Sequence, residues 1–307
     1  MAQPGSAWDT DKFMAAFTCN ICGAFNQVAE FRTEAATCEC GSNVRLRALL
    51  HLLSMELFGQ SLTLPEFPRL KSIRGLGMTD KDSYASRLAE KFEYANTFYD
   101  REPRLDFTQP HPDLHGKYDF IIAADVLEHI APPVGGAIEE VCRMLKPHGI
   151  FAITIFCNPA DELREHFPAL HDYRLVPLGD STVLVNRRAD GTLEVTDDLI
   201  FHGGSGSTLE MREFGVTSLR KELLGGGFSE VHLQTDNIPE IGVIFDKDVS
   251  QPLIARKSPF VFEAETRREM MEAIRGLRRY GAKALSSRWI RAGGKLGLAP
   301  KIPDPLP

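Results

Sequence analysis

The stretch from Lys117 to Phe156 constrains this chain most, because it reads as a strand, an acidic turn, a helix and a second strand in unbroken succession. Tyr118 to Ala124 (YDFIIAA) is short and mostly apolar, without sustained polar alternation, which fits a strand covered on both faces of a parallel sheet. The chain then leaves the sheet through Asp125-Val126-Leu127-Glu128-His129. Pro132 and Pro133 lead into a helix expected over Ala137 to Leu145, with Ile138, Val141, Met144 and Leu145 on one face. Pro147 and Gly149 end it, and Ile150 to Phe156 (IFAITIF) is again a doubly covered strand. Ligands of open α/β sheets bind outside the carboxyl ends of their strands, and here that end carries an Asp, a Glu and a His.

A strand ending in DVLEHI, then a helix, LKPHG and a strand, resembles the second half of the class I S-adenosylmethionine-dependent methyltransferases of the type 11 kind. The resemblance implies a doubly wound, Rossmann-like α/β fold. Its sheet would be mostly parallel with an antiparallel final strand.

Four of the six cysteines fall in one short stretch, Cys19 and Cys22 in TCNICG and Cys38 and Cys40 in TCECGS. Two tight cysteine turns can aim four thiolates at one ion, a closed tetrahedral structural zinc site with no open position for chemistry. The second turn is one residue shorter than the usual spacing. Unligated or redox cysteines are the alternative; a disulfide needs an oxidising compartment. Cys142 and Cys157 are most simply buried apolar residues. A helix is expected over Asn43 to Phe58, capped by Ser42 and closed by Gly59. Arg45 and Arg47 near its start oppose the helix dipole and could grip an anion, although a solvated face is the simpler reading. The order CNICG, Phe31, Arg32, CECGSNVRLR resembles the zinc-ribbon segment that precedes some bacterial methyltransferase domains. The expected organisation is therefore a zinc ribbon and helix over 1–60, a methyltransferase domain over 61–262 with an insertion at 157–215, and a basic helix and tail over 263–307.

Leu70 to Gly77 is expected as the first strand. The family usually follows it with three spaced glycines that let the backbone approach the methionine part of the cofactor. This chain departs from that pattern, with two glycines and then bulk and an acid in Gly75-Leu76-Gly77-Met78-Thr79-Asp80. Asp80, Thr79 or loop carbonyls would accept from the cofactor's ammonium. A helix should run from Asp82 or Ser83 to Phe92, and a strand from Tyr94 to Asp100. A carboxylate at that strand end can accept both ribose hydroxyls, so Asp100 is either the ribose ligand or a turn residue before Pro103. By the resemblance, Asp106 bonds the adenine amino group and Phe107 covers the ring, while Asp125 stands at the strand end facing the cofactor. Another register makes Gly75 to Asp80 the second strand, with Asp80 on the ribose.

Beyond Phe156, Val183 to Asn186 and Leu193 to Thr196 around Asp190-Gly191 read as a hairpin, and Phe201-His202-Gly203-Gly204-Ser205-Gly206 as a flexible loop. Val216 to Leu224 reads as a helix, and Phe228 to Gln234 and Pro252 to Arg256 as the closing antiparallel strands. Methyl transfer from a sulfonium needs alignment and, for a protonated nucleophile, a base; His129 and His202 are the candidates. Arg212 could hold a substrate anion or pair with Glu210 or Glu213.

The formal net charge of −7 hides an asymmetry. Residues 266–307 hold ten Lys or Arg against three Asp or Glu, so the tail carries +7 and residues 1–265 carry −14. An acidic body argues against nucleic acid as partner, while a basic amphipathic helix expected over Thr266 to Leu285 could dock on that body or touch an anionic surface. With no apolar run long enough to span a membrane and no signal-like start, a cytoplasmic location is expected. These readings converge on methyl transfer from S-adenosylmethionine to a small-molecule or sugar-containing acceptor. The alternatives are an RNA methyltransferase whose ribbon reads RNA, and a non-catalytic interaction protein that has kept the fold.

Overall fold

The computed structural model of the chain describes residues 15–28, 37–158, 161–202, 208–245 and 250–286. Phe31 and Arg32, the glycine-rich run 203–206 and the Pro-rich end of the tail lie outside these residues.

The cysteine turns follow a short antiparallel pair, β1 (Ala15–Thr18) and β2 (Phe25–Val28), and lead into α1 (Val44–Phe58). Asn43, and not Ser42, caps α1 by accepting from the Leu46 N–H at 2.9 Å, and Gly59 closes it with φ of +67°. Next come β3 (Arg74–Met78), α2 (Asp82–Lys91), β4 (Glu93–Thr97), β5 (Tyr118–Ala124), α3 (Gly135–Met144) and β6 (Leu145–Ile155). The middle of the chain forms short antiparallel pieces. β7 (Arg164–Glu165) pairs with β13 (Arg212–Glu213), and β8 (Asp172–Leu178), β9 (Ser181–Arg187) and β10 (Leu193–Thr196) make a small sheet. β11 (Phe201–His202) pairs with β12 (Thr208–Leu209), so His202 belongs to a paired strand. Then follow α4 (Val216–Gly225), β14 (Glu230–Leu233), β15 (Gln251–Arg256) and α5 (Ala264–Ser286).

The main sheet has six strands in the order β14-β15-β6-β5-β3-β4. β4, β3, β5 and β6 are parallel, while β15 is antiparallel to both β6 and β14, which gives the Rossmann-like α/β fold. Among the described residues no strand of this sheet precedes β3, so the register that made Gly75 to Asp80 a second strand is corrected. The apolar runs lack polar alternation because both faces are covered. On β5 and β6, Ile121, Ala123, Phe151 and Ile153 enter a core with α3 and α4, whereas Phe120, Ile122, Ile150 and Ala152 enter a second core with α1 and α2.

Two arginines are corrected. Arg47 is no solvated face: it is fully buried over the Phe17 ring, donating to the Ser42 carbonyl and hydroxyl, each at 3.2 Å, and to the Gly242 carbonyl at 2.7 Å. Arg212 is likewise buried, bound to Glu165 at 2.8 Å and to the Leu127 and Ile130 carbonyls, so it braces the turn after β5. The first turns of α5 are fixed to the body, where Glu269 accepts from the Lys71 and Ser72 N–H groups and from the Ser72 hydroxyl. Met271, Ile274 and Leu277 further along that helix are exposed. No helix of the described residues is long and apolar enough to cross a membrane.

Replacing Arg47 by Ala strands the Gly242 carbonyl, leaves the Ser42 carbonyl with the Thr37 N–H alone, and opens a cavity. We expect a loss of about 2 to 4 kcal/mol in urea unfolding, against an effect within about 0.5 kcal/mol for exposed Arg278→Ala.

Candidate functional site

Because β3, β4 and β5 are parallel, their carboxyl ends share one edge of the sheet. The chain turns to one side after β3 and returns on the other at β5, and a crevice opens at such a switch point. A cavity of about 1000 Å³ lies there. Thr79 after β3, Asp100 after β4 and Asp125 after β5 line it, together with Asp106, Phe107, His129 and His202. Thr79 and Asp125 both have left-handed backbones, with φ of +59° and +56°. Such conformations cost energy in non-glycine residues and concentrate at functional sites.

Asp125 is held on both sides. Its N–H donates to the Thr154 carbonyl at 2.9 Å, and its Oδ1 accepts from the Thr154 hydroxyl at 3.1 Å. Its Oδ2 forms an ion pair with Arg45 from the first turn of α1. Asp106 is fixed as a turn, Oδ1 accepting from the Thr108 N–H at 3.0 Å and from its hydroxyl at 2.7 Å. Leu105 and Phe107 on either side are buried and give this wall an apolar lining.

Gly75, Gly77 and Asp80 do not line the cavity. A Cβ at Gly75 would overlap the Phe120 and Tyr94 rings, and one at Gly77 would overlap the Tyr94 hydroxyl and the Asp80 carboxylate. The glycines make room for that packing, in which Tyr94 stacks on Phe120 with centroids 5.8 Å apart. Asp80 turns inward and accepts from Tyr94. Burial raises its carboxyl to about 7, against the opposing pull of the Tyr94 and Tyr84 hydroxyls.

At the other end of the cavity the hydrogen bonds fix the histidine protons. His129 Nδ1 faces the Leu209 carbonyl at 2.9 Å; a carbonyl only accepts, so Nδ1 carries the proton and Nε2 is the acceptor. His202 Nδ1, 3.2 Å from that Nε2, is then the donor. His202 Nε2 stands 2.8 Å from Glu210, whose other oxygen meets His166 Nε2 at 2.9 Å. Burial lowers the pKa of His129, and it raises that of Glu128, 4% exposed, to about 7. Glu128, His129 and His202 also bring ligand atoms within 4.8 Å of one another, a donor set able to hold a cation.

The four N-terminal cysteines form a separate cluster whose sulfurs all lie within 4.8 Å of one another. The Cys19–Cys40 and Cys22–Cys38 sulfurs are 3.8 and 3.5 Å apart. A tetrahedral zinc with bonds of about 2.3 Å separates its sulfurs by about 3.8 Å, so the cluster fits one ion. Gly23 and Gly41, with φ of +80° and +82°, close the two turns, and the shorter second turn brings its thiols into the same cluster.

Sequence reasoning read Arg45 as an anion grip or a solvated face, on its unfavourable charge at a helix start, and Glu210 as a partner of Arg212, whereas Asp125 and the histidines are their partners. It missed Tyr94, whose contacts with Asp80 and Phe120 form only across the fold.

Residues 77–185 match the family model of a methyltransferase domain. Among solved structures, the chain is similar to the CMeT domain of the citrinin polyketide synthase, with 14% identity, 73% of this chain and 55% of that one covered, and a TM-score of 0.42. This chain thus spans about half the length of that one. It is also similar to an S-adenosylmethionine-dependent methyltransferase from Clostridium acetobutylicum, with 12% identity, 61% and 85% covered and a TM-score of 0.37. A third is 1,6-didemethyltoxoflavin-N1-methyltransferase from Burkholderia thailandensis, with 14% identity, 69% and 89% covered and a TM-score of 0.35. No curated protein matches the chain.

The buried Asp80 gives a pH signature. Its carboxyl stands near 7 in the folded chain against an ordinary 3.8, so the folded state holds a proton that the unfolded state releases. That contribution to stability is complete below the unfolded value and is lost as pH rises through the folded one. Asp80→Asn, which still accepts from Tyr94, should therefore gain on the wild type between pH 4 and pH 8, by about 2 to 4 kcal/mol in chemical unfolding. A difference that is the same at both pH values would contradict this.

Proposed function

We propose that this protein transfers a methyl group from S-adenosylmethionine to a small-molecule or sugar-containing acceptor. The observation that carries the reading is the cavity at the carboxyl ends of β3, β4 and β5, lined by Asp100, Asp106 and Asp125 within a segment that matches a methyltransferase-domain model. The side chains that line it suit the cofactor. Asp100 would accept from the ribose hydroxyls and Asp106 from the adenine amino group, the Leu105 and Phe107 wall would cover the ring, and Thr79 and Asp125 would face the amino-acid end.

When bound, the cofactor supplies a sulfonium-activated methyl carbon for direct displacement, so the chain's task is alignment. The Glu128, His129 and His202 end of the cavity is left for the acceptor. His129 is the proposed base: its protonated Nδ1 is tied to Leu209, which aims the Nε2 lone pair toward His202. A proton taken there leaves His129 an imidazolium, whose charge the nearby Glu210 carboxylate offsets. The four cysteines Cys19, Cys22, Cys38 and Cys40 would hold one structural zinc, with no position left for chemistry. The acidic body disfavours nucleic acid as acceptor.

Calorimetric titration with S-adenosylmethionine and S-adenosylhomocysteine tests the reading. Binding by the wild-type protein should fall at least tenfold in Asp100→Ala and in Asp106→Ala. A folded wild-type protein that binds neither ligand would favour an interaction protein that keeps only the fold. Elemental analysis should find one zinc per chain, lost when Cys22 and Cys38 are both replaced by Ser; a folded, metal-free wild-type protein would overturn the zinc assignment.

A further inference from the structure

A bound amino-acid group presents a carboxylate as well as an ammonium, and the loop after β3 is ill placed to receive the carboxylate. The Thr79 N–H is already spent on the Thr97 carbonyl at 2.7 Å, and the Asp80 N–H on Asn96 Oδ1 at 2.9 Å. Gly75 and Gly77 are filled against Tyr94 and Phe120. The carboxylate must therefore find its donors elsewhere on the cavity wall.

Two cationic side chains line that wall, Arg45 and Arg101. Arg101 stacks on Phe98, 3.8 Å from the ring centroid, beside Asp100 and the proposed ribose end. Arg45 stands at the opposite end, paired with Asp125 where β5 leaves the sheet. The Arg45 and Asp125 side chains are 13% and 26% exposed, sheltered yet reachable. A guanidinium beside a carboxylate is the charge complement of an amino acid, whose own carboxylate and ammonium stand a few ångströms apart.

We propose that Arg45 binds the carboxylate of the cofactor's amino-acid end while Asp125 takes its ammonium. This rests on the methyltransferase reading and adds that the helix following the cysteine cluster completes the cofactor site. The geometry explains why an arginine is placed at a helix start, where the dipole disfavours it. Its backbone is anchored close by: Asn43 caps α1, and Arg47, two residues on, is tied to Ser42 and to Gly242. Ser42 in turn lies 3.2 Å from the Cys19 sulfur, so the cysteine cluster, the start of α1 and the cavity are one connected assembly. Asp125 is aimed by its left-handed backbone and by Thr154.

The test compares S-adenosylhomocysteine with 5′-methylthioadenosine, which keeps the nucleoside and lacks the amino acid. Both are titrated into the full chain as wild type, Arg45→Met and Arg45→Lys. Arg45→Met should weaken S-adenosylhomocysteine about 10- to 100-fold and leave 5′-methylthioadenosine within about twofold. Arg45→Lys, which keeps the charge without the two-pronged geometry, should lose less, again for the amino-acid ligand alone. Unchanged S-adenosylhomocysteine binding in Arg45→Met, or an equal loss of both ligands, would overturn the assignment of Arg45 while leaving the methyltransferase reading in place. Wild-type protein that binds neither ligand would overturn both.

Discussion

A strand buried on both faces has no place for a polar side chain except at its ends, and that constraint arranges the rest of this structure. β5 and β6 send alternate residues into two cores, one under α3 and α4 and one under α1 and α2. Every charged group that the central strands carry toward the ligand is therefore expelled to the carboxyl edge, where parallel pairing brings the ends of β3, β4 and β5 together. Burying so much apolar surface stabilises the sheet, and that stability supports the left-handed backbones of Thr79 and Asp125 at its rim.

The second organising contact is the start of α1. Its apolar face packs on the sheet, and its arginines reach in two directions: Arg47 toward the cysteine turns and Gly242, Arg45 toward Asp125. Burying an arginine is costly unless its donors find acceptors, and the carbonyls of Ser42 and Gly242 take the two terminal NH2 groups of Arg47, while its buried Nε has no partner. The short N-terminal segment is thus fastened to the rim of the cavity, and order in the cysteine cluster is order in the cavity wall.

Much of the architecture was legible in the sequence because it depends on local pattern. The apolar runs 118–124 and 150–156, the helix between them, the Asp190-Gly191 hairpin and the antiparallel closing strand all follow from periodicity and turn chemistry, and each is present. The carboxylates at the strand ends were legible for the same reason: a strand fixes where its end lies. The roles of Gly75, Gly77, Asp80, Arg45 and Arg212 depended instead on partners far away in the chain. The two glycines answer to Tyr94 and Phe120, Asp80 to Tyr94, Arg45 to Asp125 and Arg212 to Glu165. The histidine chain is a further case, since His129 is oriented by Leu209, eighty residues later, and Glu210, 44 residues after His166, joins it to His202. Local spacing carries no trace of such contacts.

The most direct test of the central claim is a crystal structure of the wild-type protein grown with S-adenosylhomocysteine. The account predicts the ligand in the cavity beyond β3, β4 and β5, with its ribose on Asp100, its adenine beside Asp106 and Phe107, and its amino-acid end between Arg45 and Asp125. A ligand bound elsewhere, or one whose amino-acid end makes no contact with Arg45 and Asp125, would contradict it.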